Sequence, residues 1–273
     1  MEQSHWIPAK RIRIAILIAL GCAVPAVAGS WWSLFAWLLL LPAAGAGVAA
    51  LIMLRIRYQL SGHGGGWQQR IHDAVIERSA LPVESNATAL DVGCGDASLL
   101  IALLRQAPGV TATGVDYWGT DWDYAQAACE ARVAGSGLAA TFRRMDAAQL
   151  DFPDGSFDLV TSVMCFHEVR APDGAAMSGP LLAVAEALRV LRPRGRFVLV
   201  DRFRDAGDYG DPAALDAVLT TTTNLRREPL VATLGIPWPL DSKRSLGPVD
   251  ILSGQKGVDH LAAIAPSNGS GLR

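Results

Sequence analysis

The stretch Ala87-Thr88-Ala89-Leu90-Asp91-Val92-Gly93-Cys94-Gly95-Asp96-Ala97-Ser98-Leu99-Leu100 decides how the rest of the chain is read. Apolar and β-branched residues lead into an acid, then into a turn with two glycines, then into an apolar run at helical spacing. That pattern predicts a strand, a sharp turn and a helix start. Gly93 and Gly95 remove side chains where a ligand would approach the backbone, and they permit dihedrals closed to other residues. The helix start offers unpaired N–H groups, which suit a polar or anionic ligand. Alone, the turn predicts a nucleotide-type site and leaves the cofactor open.

Downstream of the turn, strand and helix patterns alternate, which predicts a doubly wound α/β sheet. Strands are expected over 88–92, 111–115, 140–144, 157–163 and 196–200, with two more near 229–234 and 248–253. Helices are expected over 97–106, over 121–134 with Asp121 as N-cap and Gly135 as C-cap, over 181–191 ended by Pro193, and after Asp211-Pro212.

Upstream, the mean hydropathy of +0.25 directs attention to apolar segments. Residues 12–28 carry no charge after Arg13, and residues 31–54 carry none at all. The second run is long enough to cross a hydrocarbon core of roughly 30 Å as a helix, and the first is near the short end of the range. Separated only by Gly29-Ser30, they predict a transmembrane hairpin with Trp31, Trp32 and Trp37 near its turn. Lys10, Arg11 and Arg13 precede the first run and Arg55 and Arg57 follow the second, so both ends are expected in the cytoplasm of a multi-pass inner-membrane protein. A cleaved signal peptide ending at Ala26-Val27-Ala28 is the alternative, and it leaves the large domain on the same side. The expected organisation is an anchor over 1–57, a Gly-rich linker and entry helix over 58–86, a catalytic domain over 87–258 and a disordered tail over 259–273.

Residues 1–60 carry a net charge of +4, which leaves about −6 for the remainder of a chain whose total is −2. An acidic domain argues against nucleic acid held through phosphates. Cys22, Cys94, Cys129 and Cys165 are scattered without metal-ligand spacing, so neither a metal nor a disulfide framework is expected.

The set ALDVGCGDASLL (89–100), TGVDYW (113–118), RRMDAAQLDFPDGSFDLVTS (143–162) and EALRVLRPRGRFVLVD (186–201) resembles the class I S-adenosylmethionine-dependent methyltransferases in order and spacing. The GGG…IH entry at 64–72, DYW at 116–118 and FHEV at 166–169 are similar to a group of membrane-anchored bacterial members. The resemblance implies a mostly parallel, seven-stranded Rossmann-like sheet with S-adenosyl-L-methionine beyond its strand ends. It implies a glycine loop of Asp91, Gly93 and Gly95 beneath the methionine and ribose, with Ala97 at a frequent third glycine. Asp116 at the end of strand 2 suits both ribose hydroxyls. Tyr117 and Trp118 are expected at the adenine edge or in rim packing, and Asp158 in a structural part. Asp146 is expected to accept from the adenine amino group beside the Ala147 backbone, or else to cap a helix.

The stretch after strand 4 faces the acceptor in such enzymes. There His167 is a candidate general base and Glu168 a candidate to orient it or to bind a cationic acceptor; the alternative is that His167 only packs in the turn. His63 and His72 are weaker candidates. The acceptor is expected to be a small molecule, lipid-like if the anchor serves to hold the site near the bilayer. Two rival readings share part of this pattern. A nicotinamide-dependent dehydrogenase fits the Asp96-Ala97 turn poorly. A non-catalytic S-adenosylmethionine-binding sensor or scaffold keeps the same cofactor residues.

Overall fold

Period-two burial builds the sheet. In β1 (Thr88–Val92) Ala89 joins one core layer while Leu90 and Val92 join the other, as alternation of side chains across a strand requires. The computed structural model describes residue 6 and residues 8–29, 34–81, 86–119 and 125–258. The remaining strands are β2 (Thr111–Asp116), β3 (Thr141–Arg144), β4 (Phe157–Val163), β5 (Leu191–Asp201), β6 (Thr222–Pro229) and β7 (Asp250–Lys256). They form one seven-stranded sheet in the order β3-β2-β1-β4-β5-β7-β6. β7 is antiparallel to both of its neighbours, and the first five strands are parallel. The order reverses between β1 and β4, and in open α/β sheets that reversal opens a crevice at the strand carboxyl ends.

Helices cover both faces. On one side lie α3 (Trp67–Ser79), α4 (Ser98–Gln106) and α5 (Gln126–Gly135), whose Ile71, Val75, Leu100, Leu103 and Val133 pack on Ala112, Leu159 and Val198. On the other lie α6 (Gly179–Arg189), the four-residue α7 (Ala206–Tyr209) and α8 (Pro212–Leu219), with Val184, Leu188 and Leu215 on Val160, Phe197 and Leu199. Asp158 has the structural part expected: it accepts from the Thr88 backbone N–H and hydroxyl, each at 2.8 Å, and from Arg192 at 2.7 Å.

Several expectations shift. The strand expected near 229–234 is instead β6, which ends at Pro229, followed by the helical turn α9 (Leu230–Leu234). β6 is an edge strand whose residues are mostly exposed on both faces, so it lacks the alternation that betrays a half-buried strand. The last strand starts at Asp250, and β5 begins at Leu191 because Leu191 pairs with Phe157 across a bulge. α6 sits two residues earlier than expected. Asp121, expected as an N-cap, lies outside the described residues, as do Ser30, Trp31, Trp32 and residues 259–273.

Before the sheet, α1 (Ala9–Gly29), a 3₁₀ segment (Leu34–Leu39) and α2 (Leu40–Leu60) pack on one another. Among the described residues one helix, Trp37–Leu60, is long and apolar enough to cross a membrane, with a mean hydropathy of 2.2. Of the 20 exposed large hydrophobic residues described, 14 lie between Ile14 and Leu54, so the exposed apolar surface is concentrated on these helices. The glycine-rich stretch expected as linker is shorter than foreseen, because α2 runs through Leu60. What remains is a bonded turn, with the N–H groups of Gly64 and Gly66 donating to the Ser61 carbonyl at 3.1 and 2.9 Å.

Gly114 lets α4 close on β2: a Cβ there would meet Cys94 Sγ and Leu100 at 2.8 Å and Phe142 at 2.9 Å. Gly114→Ala is expected to destabilise the domain by about 1–3 kcal/mol, the usual cost of overpacking, read as a lowered denaturation midpoint.

Candidate active site

The glycine turn is folded back onto the end of β2. Gly93 and Gly95 take positive φ of 74° and 54°. The Val115 carbonyl accepts from the N–H groups of Gly93 and Cys94 at 2.8 and 3.0 Å. Asp116 Oδ2 accepts from the Gly95 N–H at 2.9 Å, and the Gly95 carbonyl accepts from Trp118 Nε1 at 3.1 Å and Cys129 Sγ at 2.8 Å. A methyl at Gly93 would collide with the Cys165 side chain, so the turns after β1 and β4 are in direct contact. Ala97, at the frequent third glycine, takes φ 64°. That conformation costs an alanine roughly 1–2 kcal/mol, and burial of its methyl in the core offsets about 0.8 kcal/mol of it.

The strand-end acids lie where they were expected, with partners that refine their roles. Asp116 holds Gly95 with one oxygen and the Trp118 N–H with the other at 2.8 Å. A carboxylate offers about four lone-pair sites, so each oxygen keeps capacity for a ribose hydroxyl. Asp146 is exposed and uses Oδ1 to accept from Ala148 N–H at 2.9 Å, the capping alternative in part; Ala147 is buried beside it. Tyr117 is exposed, with the Arg144 guanidinium 4.8 Å from its ring centroid. Trp118 is rim packing: it meets Phe142 edge-on and donates to Gly95.

The structure gives His167 a carboxylate partner besides its sequence neighbour Glu168. The orienting carboxylate is Asp201, at the end of β5, with Oδ1 2.7 Å from His167 Nδ1 and Oδ2 accepting the His167 N–H at 3.2 Å. Glu168, adjacent in sequence, stands 4.0 Å away on the Nε2 side, because the 3₁₀ turn Phe166–Glu168 points it outward. Burial acts to lower the His167 pKa, but the Asp201 hydrogen bond and charge outweigh it and raise it above the ordinary value. Sequence reasoning missed Asp201 in this role; its signal was an acid closing an apolar strand at the same level as Asp116.

One cavity of about 1450 Å³ joins these groups. Single-ligand sites usually occupy roughly 300–1,000 Å³, so there is room for a cofactor and an acceptor together. Its wall includes Asp91, Gly93, Gly95, Asp116, Tyr117, Asp146 and Ala147 on one side and His167 and Glu168 on another. All nine candidate site residues therefore line the same space. So does His72, which is buried with its pKa pushed down to about 4 by desolvation, whereas His63 is exposed outside it. His72 Nδ1 and Gln68 Oε1, one helical turn apart on α3, are buried without a hydrogen-bond partner. Three of the six non-glycine residues with positive φ among those described, Ala97, Trp118 and Met164, sit in or beside this wall. Such strain gathers where a surrounding structure holds a site in shape.

Comparison with known proteins follows this geometry. A family described as "Methyltransferase domain" matches residues 90–199. The chain is 31% identical over 135 residues to a demethylmenaquinone methyltransferase of Thermus thermophilus, covering 50% of this chain and 53% of that one. It is 29% identical over 156 residues to a phosphatidylethanolamine N-methyltransferase of Cereibacter sphaeroides, covering 57% and 70%. The chain thus spans about half the length of the first of these relatives. Among solved structures it superposes on the [4+2]-cyclase SpnF with a TM-score of 0.51 at 21% identity, covering 70% of this chain and 83% of that one. A phosphoethanolamine N-methyltransferase of Haemonchus contortus bound to S-adenosyl-L-methionine matches with a TM-score of 0.50 at 17% identity, covering 71% and 53%. At these identities the structural likenesses speak for the fold alone.

Asp91 gives the site a measurable pH signature. Burial pushes its carboxyl up to about 7, against a 2.8 Å hydrogen bond from Thr161 that acts in the opposite sense. An unfolded aspartate ionises near ~3.9. Between those values the folded chain keeps a proton that the unfolded chain releases, so this contribution to stability declines as pH rises from about 4 to about 7 and is level above. Thermal unfolding of the full chain in detergent should show that decline, and Asp91→Asn should flatten it. An unchanged slope in the variant would remove Asp91 as its source.

Proposed function

We propose that this chain, a class I S-adenosylmethionine-dependent methyltransferase by family match and fold, transfers a methyl group at the cytoplasmic face of a membrane to a lipid-like or quinone-like small molecule. The observation that carries this is the single cavity, whose wall runs from the glycine turn past His167 to the membrane-length helix α2. The relatives named above act, by their names, on a quinone precursor and on a phospholipid.

The residues fit the cofactor. Gly93 and Gly95 leave a backbone cradle, Asp116 retains acceptor capacity for the ribose, and the free oxygen of Asp146 with the Ala147 backbone suits the adenine edge. The orphaned Gln68 Oε1 and His72 Nδ1, on residues of the same wall, would be available to polar groups of the cofactor. Bound there, S-adenosyl-L-methionine supplies an electrophilic methyl group on a sulfonium sulfur. The chain's part is then to align the acceptor and, for an acceptor that must lose a proton, to take it. Asp201 holds Nδ1–H of His167, which leaves Nε2 as the proton-accepting atom facing the cavity. Glu168 lies beside that nitrogen, placed to steady the charge His167 acquires. Anchoring rests on α1 and α2, with Lys10, Arg11 and Arg13 at the start of α1 and Arg55 and Arg57 near the end of α2 keeping both termini on the cytoplasmic side.

The test is transfer of labelled methyl from S-adenosylmethionine into membrane lipids by the full chain. For a base to work it must be neutral, so kcat should rise with pH through the raised His167 value. His167→Ala should lower kcat by about 10²-fold or more while cofactor affinity stays level. Asp201→Asn, by removing the partner that raises the pKa, should move the inflection to lower pH. A rate indifferent to His167→Ala would eliminate the proton-accepting role and leave alignment alone.

A further inference from the structure

We propose that the cavity is loaded sideways from the bilayer by an anionic amphiphile. Its hydrocarbon chain lies along α2, and its phosphate or carboxylate sits among Arg11, Arg170, Lys243 and Arg244. This rests on the membrane reading above and narrows the acceptor class that the reading leaves open.

The first observation is where the wall goes. Ala49, Ile52, Met53 and Ile56 of α2 line the same cavity as the glycine turn. Their three- and four-residue spacing places them on one stripe of the helix. Arg55 is a basic residue of the kind that marks the cytoplasmic interface. Ala49 lies six residues beyond it, which at 1.5 Å per residue is about 9 Å towards the bilayer centre. One leaflet of hydrocarbon is roughly 15 Å deep, half of the ~30 Å core. A cavity wall that reaches ~9 Å past the interface marker is open to acyl chains and has no polar group on its α2 side to favour water.

The second observation is charge. Arg202, also in the wall, is paired with Asp205 and Asp208, and Arg144 lies over Tyr117. Arg11, Arg170, Lys243 and Arg244 line the cavity, are exposed, and make no ion pair among the described residues. They come from α1, from the turn after β4 and from the segment before β7, so three separate parts of the chain bring cations to one cavity, whose wall also carries the exposed Glu168. The segment carrying Lys243 and Arg244 is tied to the end of α2 by Gln59 Nε2, which donates to the Trp238 carbonyl at 3.0 Å. Trp238 itself is 65% exposed, an amphipathic ring at the level where such rings favour the interface. An apolar stripe capped by free cations is complementary to a chain with an anionic head. A zwitterionic head would bring its own cation into this ring.

Equilibrium binding to the full chain in dodecyl maltoside micelles tests the proposal. The probe is oleoyl lysophosphatidic acid, with oleoyl lysophosphatidylcholine and inorganic phosphate as comparators and S-adenosylmethionine affinity measured alongside. Lysophosphatidic acid should bind at least about tenfold tighter than either comparator. The Lys243→Ala, Arg244→Ala double variant should lose at least about tenfold for lysophosphatidic acid with cofactor affinity unchanged. Met53→Trp, which fills the apolar stripe, should weaken lysophosphatidic acid and leave inorganic phosphate as before. Equal binding of lysophosphatidylcholine, or indifference to the charge variant, would overturn the anionic head. Inorganic phosphate binding as tightly as the lipid, or indifference to Met53→Trp, would overturn the bilayer route. Failure of the unmodified chain to bind S-adenosylmethionine would strike the methyl-transfer reading, and lipid binding, read separately, would still decide this one.

Discussion

The hydrogen bonds that fold the Gly93–Asp96 turn onto the end of β2 constrain everything around the site. The Val115 carbonyl and the Asp116 carboxylate together take three successive N–H groups, those of Gly93, Cys94 and Gly95. The Gly95 carbonyl is held from the opposite side by Trp118 and Cys129. Both the N–H and the carbonyl of Gly95 are thereby committed, which fixes where α4 begins and how closely a ligand meets the backbone. The contact between Gly93 and Cys165 carries that rigidity across to the turn after β4. The turns after β1 and β4 are therefore set by one packed unit, and Asp116 serves both as a tie for the loop and as a polar group facing the cavity.

Much of this was legible because local signals and global fold agreed. β1 and β4 stand at the expected residues, since both are central strands buried on two faces and read as short apolar runs between turn residues. The acids at 91, 116 and 146 were visible because each closes such a run at the same end of the sheet. β6 was not legible: Thr222–Pro229 is an exposed edge strand held by pairing with β7, and pairing leaves no mark in the side-chain pattern. The His167–Asp201 pair was hidden for another reason. Its members are 34 residues apart and meet only because β4 and β5 are neighbours in register, whereas Glu168 offered a sequence-adjacent carboxylate. The cations that line the cavity were likewise dispersed among segments that only the fold brings together.

The fold by itself leaves the chemistry open, as a cyclase superposing on this chain as well as a methyltransferase does makes plain. What distinguishes chemistry on such a sheet is the content of the crevice beyond the strand ends. Here the crevice holds a histidine whose imidazole is gripped at ring and backbone by one buried carboxylate. A residue that only filled the turn would need neither bond. Asp201 also accepts from the Arg202 N–H at 2.6 Å, yet each of its oxygens meets His167, one at the ring and one at the backbone, which argues that the direction of Nε2 matters.

The relation between α2 and the sheet has its own physical basis. Glycines at 62 and 64–66 read from sequence as a flexible tether, and a tether would let the domain drift relative to the bilayer. The structure uses Gly64 differently: a Cβ there would overlap the Tyr58 carbonyl, so the glycine is required for α2 to turn tightly into α3. α3 then packs on α4, β5 and β7, which places Gln68 and His72 in the cavity wall one turn from the bend. A short bonded turn between a membrane-length helix and a helix of the catalytic core transmits position. It fixes α2 relative to the sheet, and this is why residues of α2 and residues of the glycine turn line a single space.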